Sequence, residues 1–163
     1  MTARAAAARA PLRVEIPGRR PLVLRHLLLD LNGTIAEDGR VVAAVRRRLP
    51  ALAERLEVHV LTADTFGTAA VQLARLPVRL EPVASGRDKA RIARALGAGE
   101  VVAVGNGAND AAMLRLAALG IAVVGPEGAA REAVAAARVV VARIEDALDL
   151  VLRPRRLVAT LRP

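Results

Sequence analysis

From Leu22 to Leu152 the chain switches repeatedly between short aliphatic runs and segments of helical spacing. This rhythm constrains the fold more than any other feature. "EVHVLTAD", "PVRLEPV", "EVVAVGNG", "IAVVG" and "RVVVAR" read as strands. "VVAAVRRRLPALAERL", "TFGTAAVQLARL", "GRDKARIARALG", "NDAAMLRLAALG", "PEGAAREAVAAA" and "IEDALDLVL" read as helices between them. Strands that alternate with helices must run parallel, and continuous Val and Leu runs mean burial on both faces. The expectation is a three-layer Rossmann-like α/β fold with a mostly parallel sheet. Ahead of it, "LRVEIPGRRPLVLRHLLLDL" reads as a β-hairpin turning at Pro17-Gly18, its second strand continuing into Leu27–Leu29 and ending at Asp30. Pro50 is expected to break or kink its helix, Gly120 to end another, and "RRLVATL" to add a last turn. No repeat, linker or second domain interrupts the pattern. Residues 11–163 are read as one domain and residues 1–10 as a disordered tail.

Composition narrows the function classes. Phe66 is the sole aromatic residue, so base stacking is not available. No cysteine is present, which excludes disulfides and thiolate metal sites. No apolar run reaches the length of a membrane helix, and the N-terminal stretch lacks a signal-peptide apolar region, so a cytoplasmic protein is expected. The net charge of +9 comes from Arg spread along the whole chain, which reads as a basic surface without a specific nucleic-acid motif. Of the 25 basic residues, 24 are Arg; the one Lys is Lys89. A lone ammonium among guanidiniums points to a place where a compact charge is needed. The three Asn (Asn32, Asn106, Asn109) and the single Ser85 sit beside the clearest turn signals. His26 and His59 alternate with apolar residues and do not form a ligand pair by spacing; both read as structural.

In open α/β sheets, sites form at the carboxyl ends of the strands. There the sequence places Asp30, Thr62 and the loop "GNGAND", Gly105–Asp110, with Lys89 near a helix start. A carboxylate, a hydroxyl, an ammonium and an amide–acid pair suit a phosphate and a hard divalent cation. Asp30 can be a nucleophile or an oxygen ligand. Thr62 and Lys89 can hold phosphoryl oxygens. Taken singly, each residue also fits a plain cap, turn or surface position. "GNGAND" lacks the third Gly of a dinucleotide loop and comes late in the chain, which sets that reading aside.

"DLNGT", "LTAD", Lys89 and "GNGANDAAML" resemble, in order, the four motifs of the haloacid dehalogenase superfamily. Within it they most resemble the phosphorylation domain of P-type ATPases and their small soluble relatives. The resemblance implies that Asp30 is the nucleophile that becomes an aspartyl-phosphate. Thr62 would bind the phosphoryl group, Lys89 would steady nucleophile and phosphate, and Asn109 would order the last loop on the phosphate side. Mg²⁺ would be held by the Asp30 carboxylate, the main-chain carbonyl of Asn32, the side chain of Asn106 and the nearby acid Asp110.

Two departures matter. Phosphatase members carry Asp at the position of Asn32, where it protonates the leaving group; an amide cannot. The family's usual Asp at the position of Asn106 is also replaced by an uncharged oxygen ligand. The resemblance therefore implies a slow Mg²⁺-dependent phosphohydrolase or phosphotransferase, or else a phosphate- or metal-responsive binding protein. Asp64 is a further acid, read more simply as a turn cap. No insertion long enough for a cap domain separates the motifs, and "TIAEDGR" reads as a small flap beside Asp30. An open site suits a phosphorylated, even macromolecular, partner or a second copy of the chain completing it. Ion pumping and ATP binding are not expected of this chain alone.

Overall fold

The order of strands in the main sheet decides where a site can form. A computed structural model describes residues 9–64 and 67–163. Of the tail expected over residues 1–10, residues 1–8 lie outside the described residues, as does Thr65-Phe66 at the start of the expected helix. The elements run β1 (Leu12–Val14), β2 (Leu22–Leu24), β3 (His26–Asp30), β4 (Ala36–Glu37), β5 (Arg40–Val41), α1 (Ala43–Arg55), β6 (Glu57–Thr62), α2 (Thr68–Leu73) and β7 (Arg79–Pro82). They continue with α3 (Gly86–Ala95), β8 (Val101–Gly105), α4 (Ala111–Leu116), β9 (Leu119–Val123), α5 (Arg131–Ala136), β10 (Val139–Val141), α6 (Ile144–Leu152) and α7 (Pro154–Leu161). Six strands pair in parallel in the order β10-β9-β8-β3-β6-β7. From β3 the chain winds outward through β6 and β7, then returns to β8 on the other side and winds away through β9 and β10. The two windings part between β3 and β8, and the crevice this opens at the carboxyl ends is the place for a ligand.

Burial follows the alternation of side chains along each strand. Leu27 and Leu29 of β3 face a core closed by α1, α6 and α7, with Val45, Leu49, Leu148 and Leu157. Leu28 faces the opposite layer, with Ala93 of α3, Met113 and Leu114 of α4 and Ala133 of α5. All three leucines are fully buried. The Rossmann-like expectation, with helices on both faces, holds. Pro82 lies on the edge strand β7, where a missing N–H costs no ladder bond.

Four local expectations change. The hairpin forms as β1 against β2, but β2 does not continue into β3: Arg25 intervenes, its N–H donating to Glu100 and its carbonyl accepting from Glu57. α1 passes unbroken through Pro50, which is exposed while Leu49, Leu52 and Ala53 bury the opposite side. That burial outweighs the lost helix bond. Gly120 belongs to β9, not to the end of a helix; a Cβ there would collide with the Leu114 carbonyl, so glycine lets the strand pass against α4. "RRLVATL" is part of the helix α7, started by Pro154 and anchored by Leu157 and Leu161. Among the described residues, the links from Asp30 to Thr62 and from Thr62 to Lys89 hold only β4, β5, α1, α2 and β7 besides β6 itself, and no cap domain.

Candidate active site

Lys89 reaches the crevice because α3 starts where it does. Ser85, the single serine, is its N-cap: the hydroxyl accepts from the Asp88 N–H at 3.4 Å, and Asp88 Oδ2 accepts from the N–H groups of Ala84 and Ser85 at 3.0 and 3.1 Å. This reciprocal box fixes the first turn and sends Lys89 inward. Its Nζ lies 2.6 Å from Asp30 Oδ1 and 2.7 Å from Asp110 Oδ1, and the residue is only 4% exposed. Burial pulls the Lys89 ammonium down, but the two carboxylates outweigh it and hold it above its ordinary value. Burial, and then the charge of Asp110, push the Asp30 carboxyl up to about 6 against the pull of Lys89.

Asp110 is fully buried and uses both oxygens within the protein. Oδ1 accepts from Lys89; Oδ2 accepts from the N–H groups of Asn106 and Gly107 at 3.0 and 2.9 Å. It therefore braces the loop from behind, and the cleft wall does not include it. Gly105 is required by the same packing, since a Cβ would sit 2.5 Å from Asp110 Cγ.

The oxygen-rich corner lies on the other side of Asp30. Thr34, which the sequence reading assigned no role, sets its hydroxyl 3.1 Å from Asp30 Oδ2 and 3.2 Å from Asn106 Oδ1. One hydroxyl proton can satisfy only one of these acceptors. Asn106 is turned by its own Nδ2, which donates to the Gly128 carbonyl at 3.0 Å and leaves Oδ1 on the Thr34 hydroxyl that also meets Asp30. Two convergent oxygens, one anionic and one amide, form a donor set that fits a hard divalent cation such as Mg²⁺. Gly33 makes this closeness possible: its φ is +77°, and a Cβ would fall 2.5 Å from Asn106 Nδ2. Asn32, exposed, borders the same cleft of about 300 Å³, together with Asp30, Thr62, Ser85, Lys89, Asn106 and Asn109. Thr62 Oγ1 accepts from the Asp64 N–H at 2.9 Å, which leaves its proton to donate elsewhere. Asp64 Oδ2 takes up Thr68 Oγ1 and the Ala69 N–H, the capping reading for that acid.

The fold thus gathers Asp30, Asn32, Thr62, Lys89, Asn106 and Asn109 on one cleft and sets Asp110 behind it. The arrangement can hold an anion against an ammonium and a hydroxyl, beside a carboxylate placed to attack or to ligate. The position of Thr34 four residues after Asp30 in "DLNGT" was the signal available for it. At the far end of β3 and β6, His26 and His59 come together, with ring centroids 5.6 Å apart, across a strand pairing that spacing along the chain does not reveal.

No family model matches the chain. Two proteins of Methanocaldococcus jannaschii do. The uncharacterized protein MJ0073 is 48% identical over 63 residues, covering 39% of this chain and 68% of that one. The uncharacterized protein MJ0072 is 56% identical over 39 residues, covering 24% and 89%. Among solved structures, the cobalt-bound deoxy-D-mannose-octulosonate 8-phosphate phosphatase of Haemophilus influenzae superposes with a TM-score of 0.68 at 13% identity, covering 86% of this chain and 94% of that one. The 3-deoxy-D-manno-octulosonate 8-phosphate phosphatase of Moraxella catarrhalis, in complex with magnesium, phosphate and its sugar, gives 0.63 at 13%, covering 85% and 94%. A zinc-transporting PIB-type ATPase gives 0.61 at 22%; it covers 73% of this chain but 20% of the pump, so that likeness is confined to a minor part of the pump chain.

Proposed function

We propose that this chain, which belongs to one family with MJ0073 and MJ0072 and has the fold of the haloacid dehalogenase superfamily, is a slow Mg²⁺-dependent phosphohydrolase or phosphotransferase acting through a phosphoryl group carried on Asp30. The observation that carries this reading is the Asp30 carboxylate held 2.6 Å from the buried Lys89 ammonium on a cleft that Thr62 also lines. The phosphatases of similar fold, solved with magnesium and phosphate or with cobalt, support the reaction class.

In this mechanism Asp30, the main-chain carbonyl of Asn32 and the side chain of Asn106 would hold Mg²⁺, with Asp110 supplying a second negative charge nearby. Bound there, the ion would offset the charge of the phosphoryl oxygens. A carboxylate oxygen of Asp30 bonds to phosphorus while the ester P–O bond breaks, and the leaving oxygen takes a proton. Lys89 and Thr62 donate to the phosphoryl oxygens, and Asn109 closes the phosphate side. The leaving oxygen must draw its proton from solvent, because the Asn32 amide has none to give. The same lack leaves the water that would cleave the acyl phosphate without a base. Both steps are slowed, and transfer to a better nucleophile can compete with hydrolysis. A cleft with no cap domain admits a phosphorylated group on a large partner.

Asn32 and Asn106 also favour a second reading, in which the site binds phosphate or metal without turnover. Hydrolysis of an aryl phosphate with and without millimolar Mg²⁺, beside Asp30→Asn, decides between them. Mg²⁺-dependent activity absent from the variant supports the phospho-Asp30 route. Equal activity in both proteins would rule it out. Inactivity of both, with Mg²⁺ or phosphate still bound, would favour the second reading.

A further inference from the structure

The opposite end of the sheet carries a second cluster that the proposed reaction does not use. His26 begins β3 and Glu57 begins β6, and the parallel register pairs them directly. His59, two residues after Glu57, projects from the same face. Glu57 Oε2 lies 3.4 Å from His26 Nδ1 and 4.0 Å from His59 Nε2, and the three donor atoms all fall within 4.8 Å of one another. Neither of those nitrogens has a hydrogen-bond partner, although both are buried. The His59 residue is only 2% exposed. An unpartnered nitrogen this deep is costly unless something takes its lone pair.

The surroundings dispose the nitrogens to bind a cation. His59 Nδ1 lies 2.9 Å from Glu81 Oε1; a carboxylate only accepts, so Nδ1 is the donor to Glu81 and Nε2 is the nitrogen turned toward Glu57. A histidine ligand fixed from behind by a carboxylate is the usual outer support of a metal site. Arg79 holds the other oxygen of Glu57, Oε1, at 2.7 Å, which leaves Oε2 to face the two rings.

We propose that His26, Glu57 and His59 form a binding site for a divalent transition-metal ion, with Zn²⁺ as the best fit. Two imidazoles and one carboxylate match its preference for mixed nitrogen and oxygen ligands, and a fourth position stays open. A tetrahedral site with bonds of about 2.0–2.1 Å separates its donors by about 3.3 Å. The contact of Glu57 with His26, at 3.4 Å, is already at that figure, and its contact with His59, at 4.0 Å, is about 0.7 Å longer. The side chains of His26 and Glu57, 16% and 28% exposed, leave a route in from solvent. Four residues of β3 at about 3.3 Å each put the cluster about 13 Å from the Asp30 end. It is therefore separate from the Mg²⁺ corner and independent of the proposed reaction. The ion would clamp β3 to β6 at their amino ends.

The test is titration of the metal-free full chain with Zn²⁺ by calorimetry, and with Co²⁺ by visible absorption, in five proteins: wild type, His26→Gln, Glu57→Gln, Glu81→Gln and Asp30→Asn. Far-ultraviolet dichroism confirms folding; Glu57→Gln keeps the shape of a partly exposed side chain, so a folded variant is expected. One Zn²⁺ per chain should bind to wild type and to Asp30→Asn alike, with the intense Co²⁺ bands of a tetrahedral site. Affinity should fall at least about tenfold in both His26→Gln and Glu57→Gln. Glu81→Gln should weaken it by about 10–100-fold without removing a ligand. Absence of binding up to millimolar Zn²⁺, binding unchanged in His26→Gln, or binding lost in Asp30→Asn would each overturn the proposal.

Discussion

Replacing Lys89 with Met should expose how much the site depends on one ammonium. In the wild type a single nitrogen touches Asp30 Oδ1 at 2.6 Å and Asp110 Oδ1 at 2.7 Å, so those oxygens are at most about 5.3 Å apart. The side chains are 11% and 0% exposed, and the Lys89 side chain between them is 5% exposed. Without the cation, two carboxylates at that separation repel by about 3 kcal/mol at an effective dielectric of about 20. Removing one partner of a buried ionic group costs about 3–5 kcal/mol by experience elsewhere. The two estimates agree, and for a chain of this length they correspond to a drop in Tm of about 6–20 °C. Urea denaturation in the absence of divalent ions is the assay, with the slope checked for constancy.

The pH dependence makes the reasoning specific. Loss of Lys89 removes what pulls the Asp30 carboxyl down and leaves burial and Asp110, which push it up. A folded pKa raised above the unfolded value of about 3.9 gives a penalty that is absent below that value. The penalty grows as pH rises and is complete above the folded pKa. Wild type already carries this penalty up to its own folded pKa of about 6, so the extra destabilisation of the variant grows only above that, and it should be larger at pH 7 than at pH 4.5 by up to about 1.4 kcal/mol. The double variant Asp30→Asn/Lys89→Met should recover at least half of the loss at pH 7. A destabilisation below about 1 kcal/mol at pH 7, or one equal at both pH values, would refute the electrostatic account.

Other perturbations test other links. If Asp30 carries the phosphoryl group, Asn32→Asp should raise aryl phosphate turnover by about 10²–10⁴-fold by restoring a proton donor and base; unchanged turnover, read by product release, would count against the assigned role of position 32. Gly33→Ala places a Cβ against Asn106 at a φ of +77° and should cost about 1–2 kcal/mol in urea denaturation, because the left-handed conformation disfavours a side chain. Arg48 bonds both oxygens of Asp149 at 2.8 and 3.2 Å and ties α1 to α6, so Arg48→Ala should lose about 1 kcal/mol at pH 7. The hydrogen bond from Arg48 is the main cause holding Asp149 below its ordinary pKa. That stability is present above about pH 3.9 and is lost as pH falls through the lower folded value, so chemical denaturation at pH 2 should find wild type and variant closer than at pH 7.

Much of the fold could be read from the chain because local and global signals agree. Aliphatic runs too continuous for a one-sided sheet imply strands buried on both faces, and the helices between them imply parallel pairing. Asp30, Thr62 and the loop from Gly105 to Asp110 each end a strand, so a parallel sheet brings them to one edge without further information. The lone Lys89 stood out as a departure from the Arg habit of the chain, and the cleft it reaches is the one those residues line. Local punctuation misled where packing outweighed propensity. Pro50 reads as a break, yet Leu49 and Leu52 keep the helix continuous; Gly120 reads as a stop, yet it is a strand residue pressed against the Leu114 carbonyl.

The layering, the parallel sheet and the set of polar residues at the strand ends follow from periodicity and turn chemistry, which act over a few residues. How those residues are arranged against one another depends on tertiary packing. Asp110 lies behind the loop with both oxygens engaged, Thr34 joins Asp30 to Asn106, and Ser85 sets the helix that delivers Lys89. Tertiary packing also decides that His26 and Glu57, 31 positions apart in the chain, stand side by side. Strand order and register arise from the packing of the whole sheet, and no short window of sequence encodes them.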